Sequence, residues 1–197
     1  MTKQDIIDVA IKEFAKYGFT GLSMSQLSSA LGITKPAIYY HFKNKQSLYD
    51  EVLLYLFGDI NTKTDEILKS DLSPKEKFRE YVKLEINAIR LYPEIVPISF
   101  REMAQFVSHT NKDIVRIYEK DIIDLTTLLN ELNLKQRYKN VDFSLIKALI
   151  MGTVNVYYAM QISDIKLKPL HDFDKDKMFD YLAENITNIV LDALCED

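Results

Sequence analysis

The stretch Gly21-Leu22-Ser23-Met24-Ser25-Gln26-Leu27-Ser28-Ser29-Ala30-Leu31-Gly32-Ile33-Thr34-Lys35-Pro36-Ala37-Ile38-Tyr39-Tyr40-His41-Phe42-Lys43-Asn44-Lys45 decides how the first fifty residues fold. Ser23 and Gln26 have capping-box spacing: a hydroxyl placed to accept from the N3 amide and a side-chain amide placed to reach back. Leu27, Ala30 and Leu31 give the short helix behind them one apolar side, and Gly32 stops it. Ile33 and Thr34 make a tight connection. Thr34 is placed to cap a third helix, 35–41, with Pro36 in its first turn, where a missing N–H does no harm. Two short helices joined by a glycine-containing turn form a helix-turn-helix unit.

Upstream, Thr2 and Asp5 open a first helix whose apolar face is Ile6, Ile7, Ala10, Ile11, Phe14 and Ala15. Gly18 ends it, with Lys16 in the last turn. Downstream, a long helix over 45–68 carries Leu48, Val52, Leu53 and Leu56. A second box, Ser73 with Glu76 and Pro74 at the first helical position, starts a helix that Pro93 ends. Pro97 restarts a shorter segment through Phe106, and 108–111 is a polar loop. The helix predicted over 113–132 sets Ile114, Ile117, Tyr118, Asp121, Ile122, Leu125, Leu128 and Leu129 on one side. A charged loop over 135–140 follows, then a helix from Asp142 through Gln161, a polar stretch over 164–174, and a last helix over 176–194. With only five Gly and five Pro and no alternating strand pattern, the chain reads as all-α with about nine helices. The expected division falls near residue 47, giving a helix-turn-helix domain over 1–47 and a larger helical domain over 48–197.

Composition narrows the function classes. At 47% apolar and 27% charged residues, the chain is an ordinary globular protein rather than a disordered one. The single cysteine, Cys195, cannot build a disulfide framework. The start carries no apolar run behind basic residues, and the most apolar stretch, 148–160, contains Asn155 and is short for a bilayer. A cytoplasmic location and no membrane partner are the resulting expectations. The net charge of −4 at first argues against a nucleic-acid partner, but its distribution reverses that. Residues 1–50 hold six lysines against four acids, and the remainder 19 basic against 25 acidic residues. No acid occurs between Phe14 and Tyr49, a segment that holds four lysines and His41. A surface facing phosphates needs that pattern.

Enzyme signatures are missing. There is no GxGxxG, P-loop, HExxH or paired cysteine motif, so no catalytic residue, metal or cofactor is expected. His109 and His171 stand alone in polar loops. Asp172-Phe173-Asp174-Lys175-Asp176 starts like a calcium loop. The sixth position is then Lys177 rather than Gly and the twelfth Ala183 rather than Glu, so it reads as a solvated lead-in to a helix.

The opening stretch closely resembles the DNA-binding segment of the TetR family of transcriptional regulators. The resemblance rests on Gly21-Leu22, the Ser23 cap, Gly32-Ile33-Thr34, the ending Tyr39-Tyr40-His41-Phe42-Lys43-Asn44-Lys45 and the trailing Leu48. It is specific over the first fifty residues and architectural beyond them. It implies a recognition helix in the major groove with its N-terminal residues toward base edges. Those residues are Thr34, Lys35, Pro36 and Ala37, where Lys35 is suited to guanine and Ala37 to a thymine methyl. Ser23, Ser25, Tyr39, Tyr40, His41 and Lys45 are then expected at phosphates. Met24 stands where relatives often carry a polar phosphate contact. Ile38 and Phe42 match the apolar period and are expected in the core.

The resemblance further implies a homodimer on a palindromic operator and a small-molecule effector in the C-terminal helices. A protein partner docking there is the alternative, and an all-α enzyme a third reading that lacks any supporting constellation. Apolar positions beyond one protomer's needs, Leu145, Leu149, Val156 and Met160, then Phe179, Leu182, Ile186, Ile189 and Val190, suit two-fold pairing. Effector candidates are Tyr81, Phe100, Arg101, Tyr118, Asp121, Asn155 and Tyr158, a polar minority among aromatics. They favour an apolar or aromatic ligand, with Asp121 either meeting a cationic centre or pairing with an internal base.

Overall fold

The computed structural model describes residues 1–105, 112–162 and 174–196. Among them are nine α-helices: α1 (Lys3–Gly21), α2 (Met24–Leu31), α3 (Lys35–His41), α4 (Lys45–Lys69), α5 (Pro74–Leu91), α6 (Ile95–Gln105), α7 (Lys112–Glu131), α8 (Phe143–Ile162) and α9 (Lys175–Leu194). The all-α expectation holds. Phe106, the loop over 108–111 with His109, His171, and Asp172 and Phe173 lie outside the described residues. Packing divides the chain into two compact units, 1–59 with 92–117, and 60–91 with 118–197. Residue 47, the expected division, lies inside the unbroken helix α4.

The first unit grows from the predicted apolar faces. Ile6, Ile7, Ala10, Ile11 and Phe14 of α1 are buried, as are Leu48, Tyr49, Val52, Leu53 and Leu56 of α4 and Ile95, Val96 and Ile98 of α6. Each buried Ile, Leu, Val or Phe among them contributes about 1.5–3 kcal/mol. The caps are formed largely as read. The Thr2 hydroxyl accepts from the Asp5 amide and the Thr2 amide donates to the Asp5 carboxylate. Asn44 and Ser47 cap α4 reciprocally, Ser47 N donating to Asn44 Oδ1 at 2.8 Å and Asn44 N to Ser47 Oγ at 3.1 Å.

In the second unit α5 packs along α9. Phe78, Tyr81, Val82, Ile86 and Ile89 are buried on one side, and Phe179, Leu182 and Ile186 on the other. The last three therefore fill the protomer's own core, correcting their assignment to a dimer surface. Arg79 Nη1 donates to Asn188 Oδ1 at 2.8 Å across the pair. The chain end is pinned to the α7–α8 connection. Lys135 N donates to Leu194 O at 2.8 Å, Glu196 N to Asn133 O at 2.9 Å, and the Lys135 ammonium to Asp192 O at the end of α9. A cation there also suits the helix dipole.

Helix α8 is apolar on two sides. Ile146, Ile150, Val154 and Tyr158 are buried, while Leu145, Leu149, Val156 and Met160 are exposed. Over 143–160 its mean hydropathy is 1.3, a length and composition that would suffice for a bilayer and that also suit a core helix. Lys147 interrupts it and is held among charges. Its ammonium lies 2.9 Å from Glu85 and 3.0 Å from Asp121, and donates to the Tyr81 hydroxyl oxygen at 2.8 Å. The Tyr81 hydroxyl donates in turn to Asp121 at 2.9 Å. Asp121 thus has the internal partner that was the alternative to a ligand.

Burial alone would pull the Lys147 ammonium down, but the Glu85 and Asp121 carboxylates outweigh it and hold its pKa above the usual lysine value. A raised lysine stabilises the fold at neutral pH and loses that effect only as pH climbs past the ordinary lysine range. Lys147→Met strands the buried Glu85 carboxylate. It is expected to cost about 3–5 kcal/mol in urea unfolding at pH 7, and Lys147→Met with Glu85→Leu should recover most of the loss.

Candidate nucleic-acid interface

The geometry of residues 21–47 is fixed by backbone chemistry. Ser23 Oγ accepts from Gln26 N at 3.2 Å, and Ser23 N donates to Gln26 Oε1 at 2.8 Å, so the capping box closes. Gly32 sits at φ +67°. The Ile33 amide donates to Ser28 O and the Gly32 amide to Ser29 O, the paired bonds of a Schellman end. That left-handed turn redirects the chain into α3. Thr34 has the extended backbone of an N-cap, but its side chain makes no capping bond, so its hydroxyl is not spent on the helix as expected.

Helix α3 turns one side inward and the rest outward. Ile38 is fully buried and Phe42 nearly so, as their spacing required. Thr34, Lys35, Pro36, Ala37, Tyr39 and Tyr40 are exposed and His41 is half-buried. Tyr40 is 86% exposed, an unusual position for so large a ring. On α2, Ser23 and Ser25 are exposed as well, and Met24 is half-buried. Eight of the ten sequence-derived DNA residues are thus exposed along α2 and α3, with His41 half-buried at the end of α3.

Lys45 is the tenth, and it behaves differently. Its ammonium donates to Leu22 O at 2.7 Å and lies 4.5 Å from the centre of the Phe19 ring. Burial lowers its pKa. It ties the start of α4 to the connection between α1 and α2. Phe19 in turn joins Phe14 and Tyr49 in an aromatic cluster with ring centres 4.7–6.4 Å apart. No local pattern signals this tie, because its partners lie over twenty residues away.

Residues 6–52 match the family described as bacterial regulatory proteins, TetR family. Over these residues the chain is similar to the DNA-binding segment of that family. Along most of its length it is similar to the transcriptional regulator RutR of Escherichia coli strain K12, 22% identical over 98% of this chain and 90% of that protein. A fatty acid metabolism regulator of Clostridium perfringens, assigned provisionally, has the same fold. Its TM-score is 0.71 at 19% identity, covering 98% of this chain and 99% of that one. The regulator AibR, solved with isovaleryl coenzyme A and operator DNA, gives a TM-score of 0.71 at 19% identity over 95% and 96% of the two chains. With a DNA-binding segment of that kind, and with relatives that are transcriptional regulators rather than enzymes, the chain is a DNA-binding transcriptional regulator.

Lys45 and Tyr40 separate scaffold from surface. Lys45→Met should lower the free energy of unfolding by about 1–2 kcal/mol through the lost charged hydrogen bond and ring contact. Tyr40→Ala should leave stability within about 0.5 kcal/mol of wild type. Chemical denaturation of both variants checks the pair.

Proposed function

We propose that this regulator is a dimeric repressor that leaves a palindromic operator when a small apolar or aromatic molecule binds its C-terminal helices. The DNA-binding part is residues 1–47 and the effector and dimerisation part 48–197. The observation that carries the reading is the exposed face of α3. Lys35, Ala37, Tyr39 and Tyr40 stand in solvent on a helix anchored by Ile38, within a segment free of acids. Thr34, Lys35, Pro36 and Ala37 read base edges, while Ser23, Ser25, Tyr39, Tyr40 and His41 meet phosphates. Lys45 supports them from behind. Acting on the chromosome, the protein works in the cytoplasm.

Pairing uses the outer side of α8 with Ile189 of α9. Leu145, Leu149, Val156, Met160 and Ile189 are 40–67% exposed, and an isologous contact would cover them. Val190 is half-buried. For the effector, the second unit holds Tyr118, Asn155 and Tyr158 as well as Tyr81 and Asp121. Asn155 is buried with no hydrogen-bond partner for Oδ1 among the described residues, a position suited to a ligand's donor. Asp121 is already matched by Lys147, which favours a neutral ligand over a cation. The acyl thioester held by AibR supports an effector with an apolar body. Phe100 and Arg101 belong to the first unit.

Selection from a random duplex pool is expected to yield a palindrome bound with steep salt dependence. Lys35→Ala should relax preference at particular base pairs, by about 1–3 kcal/mol each where the contact is bidentate. Unchanged preference in that variant removes α3 as the reading helix.

Light scattering should report about twice 22.9 kDa, and Leu149→Glu should halve that mass. An effector at about 100 times its dissociation constant should stabilise the fold by about 2.7 kcal/mol and release DNA to the same factor by linkage. Stabilisation with DNA still bound would show a site without the switch.

A further inference from the structure

We propose that Arg101 is a positioning residue for DNA binding, fixing the angle at which α2 and α3 leave α1. The inference rests on the reading of α2 and α3 as the DNA surface. It gives Arg101 a different part from the effector contact considered above.

Helix α1 is interrupted by a kink at Gly18, whose φ is +72° and ψ 171°. A helix end leaves carbonyls without intrahelical partners. Two of those at this end, Phe14 O and Lys16 O, accept from Arg101 Nη1 and Nη2, each at 3.1 Å. A guanidinium is a rigid planar fork, so two bonds to carbonyls two residues apart fix its plane against the helix end. Its charge also suits the negative end of the helix dipole. Gly18 is part of the same lock. A Cβ there would stand 3.1 Å from Arg101 Nη1 and 3.3 Å from its Cδ, and the positive φ disfavours any side chain. The turn closes through Leu22 N to Gly18 O at 3.2 Å, and Lys45 holds Leu22 O from the other side. Ser23, the cap of α2, is the next residue.

The neighbouring Glu102 adds a second grip. Its Oε1 accepts from the Tyr49 hydroxyl at 2.6 Å, and Tyr49 packs on Phe14 and Phe19. Two consecutive residues of α6 thus hold α1 and α4, the helices on either side of the helix-turn-helix. Arg101 itself is spent on carbonyls of α1, so it acts on DNA through the residues it places. Recognition groups need to be held within about 0.5 Å of their working geometry.

The test uses duplexes that the wild-type chain enriches from a random-sequence pool, titrated against Arg101→Met, Arg101→Lys, Gly18→Ala and the double variant Gly18→Ala with Arg101→Met. Arg101→Met should weaken the enriched duplexes about tenfold and leave their rank order unchanged. Arg101→Lys, which keeps the charge and a donor, should recover part of the loss. Gly18→Ala should weaken binding by less in the Arg101→Met background than in wild type, since both changes act on one lock. Hydrogen exchange should quicken at Leu22 and the start of α2 in Arg101→Met while the second unit keeps its protection. Tyr40→Ala and Lys35→Ala in the same titration report on the surface itself. If Tyr40→Ala and Lys35→Ala both bind like wild type, the surface reading fails and the inference with it; if they are weakened while Arg101→Met is not, the surface reading stands and the positioning role alone fails. Wild-type affinity in both Arg101 variants overturns the proposal. So do strictly additive losses, or exchange that quickens throughout the chain. Should Arg101→Met not fold, Arg101→Lys and Gly18→Ala decide by the same affinity and exchange readings.

Discussion

A helix of seven residues does not hold together in water on its own, because nucleation fixes several residues for each hydrogen bond gained. Helix α3 owes its existence to Ile38, which has no exposed surface, and to Phe42 just beyond its end. Burial of those two side chains pins the helix while its remaining residues stay in solvent. The rest of the first unit serves that anchorage: α1 and α4 supply apolar faces, and two glycines at positive φ set the turns between them. On the proposed reading, affinity for DNA depends on side chains that never approach it.

The second unit meets a different constraint. Its helices bury charge as well as apolar surface. Lys147, Glu85, Asp121 and Tyr81 form one cluster, and Lys120 with Asp65 and Asp124 another, with contacts of 2.7 Å. Removing such groups from water is expensive unless the geometry is good. The first, buried cluster fixes which faces of α5, α7 and α8 meet, a choice that apolar contacts alone would leave looser, and the second, half-exposed one joins α7 to the end of α4. The first also explains why α8 can be apolar on two sides and still have a definite orientation.

Local signals were legible in the sequence and distant ones were not. The boxes at Thr2 and Ser23 and the stop at Gly32 are encoded within a few residues, and each has its structural counterpart at the expected position, whereas Gly18 kinks α1 and the helix resumes to Gly21. Thr34 departs from that pattern because α3 is started by its backbone alone. The inward assignment of Ile38 and Phe42 followed from periodicity. By contrast, Arg101 contacts residues 85 and 87 positions away, and Lys147 meets Tyr81 at a separation of 66; no periodicity reports such pairs. Phe179, Leu182 and Ile186 were placed outward because an apolar stripe does not say whether its cover comes from its own chain or from a copy.

The pinned chain end bears on how this molecule can be observed. Cys195 is the only thiol in the sequence, it is buried, and burial raises its pKa. Both properties keep it from reacting with alkylating reagents while the strap between Leu134 and Cys195 is closed. The natural chain thus contains its own single-site chemical clock. The rate at which a maleimide finds that sulfur reports how often the end of α9 peels away, with no engineered label to disturb it.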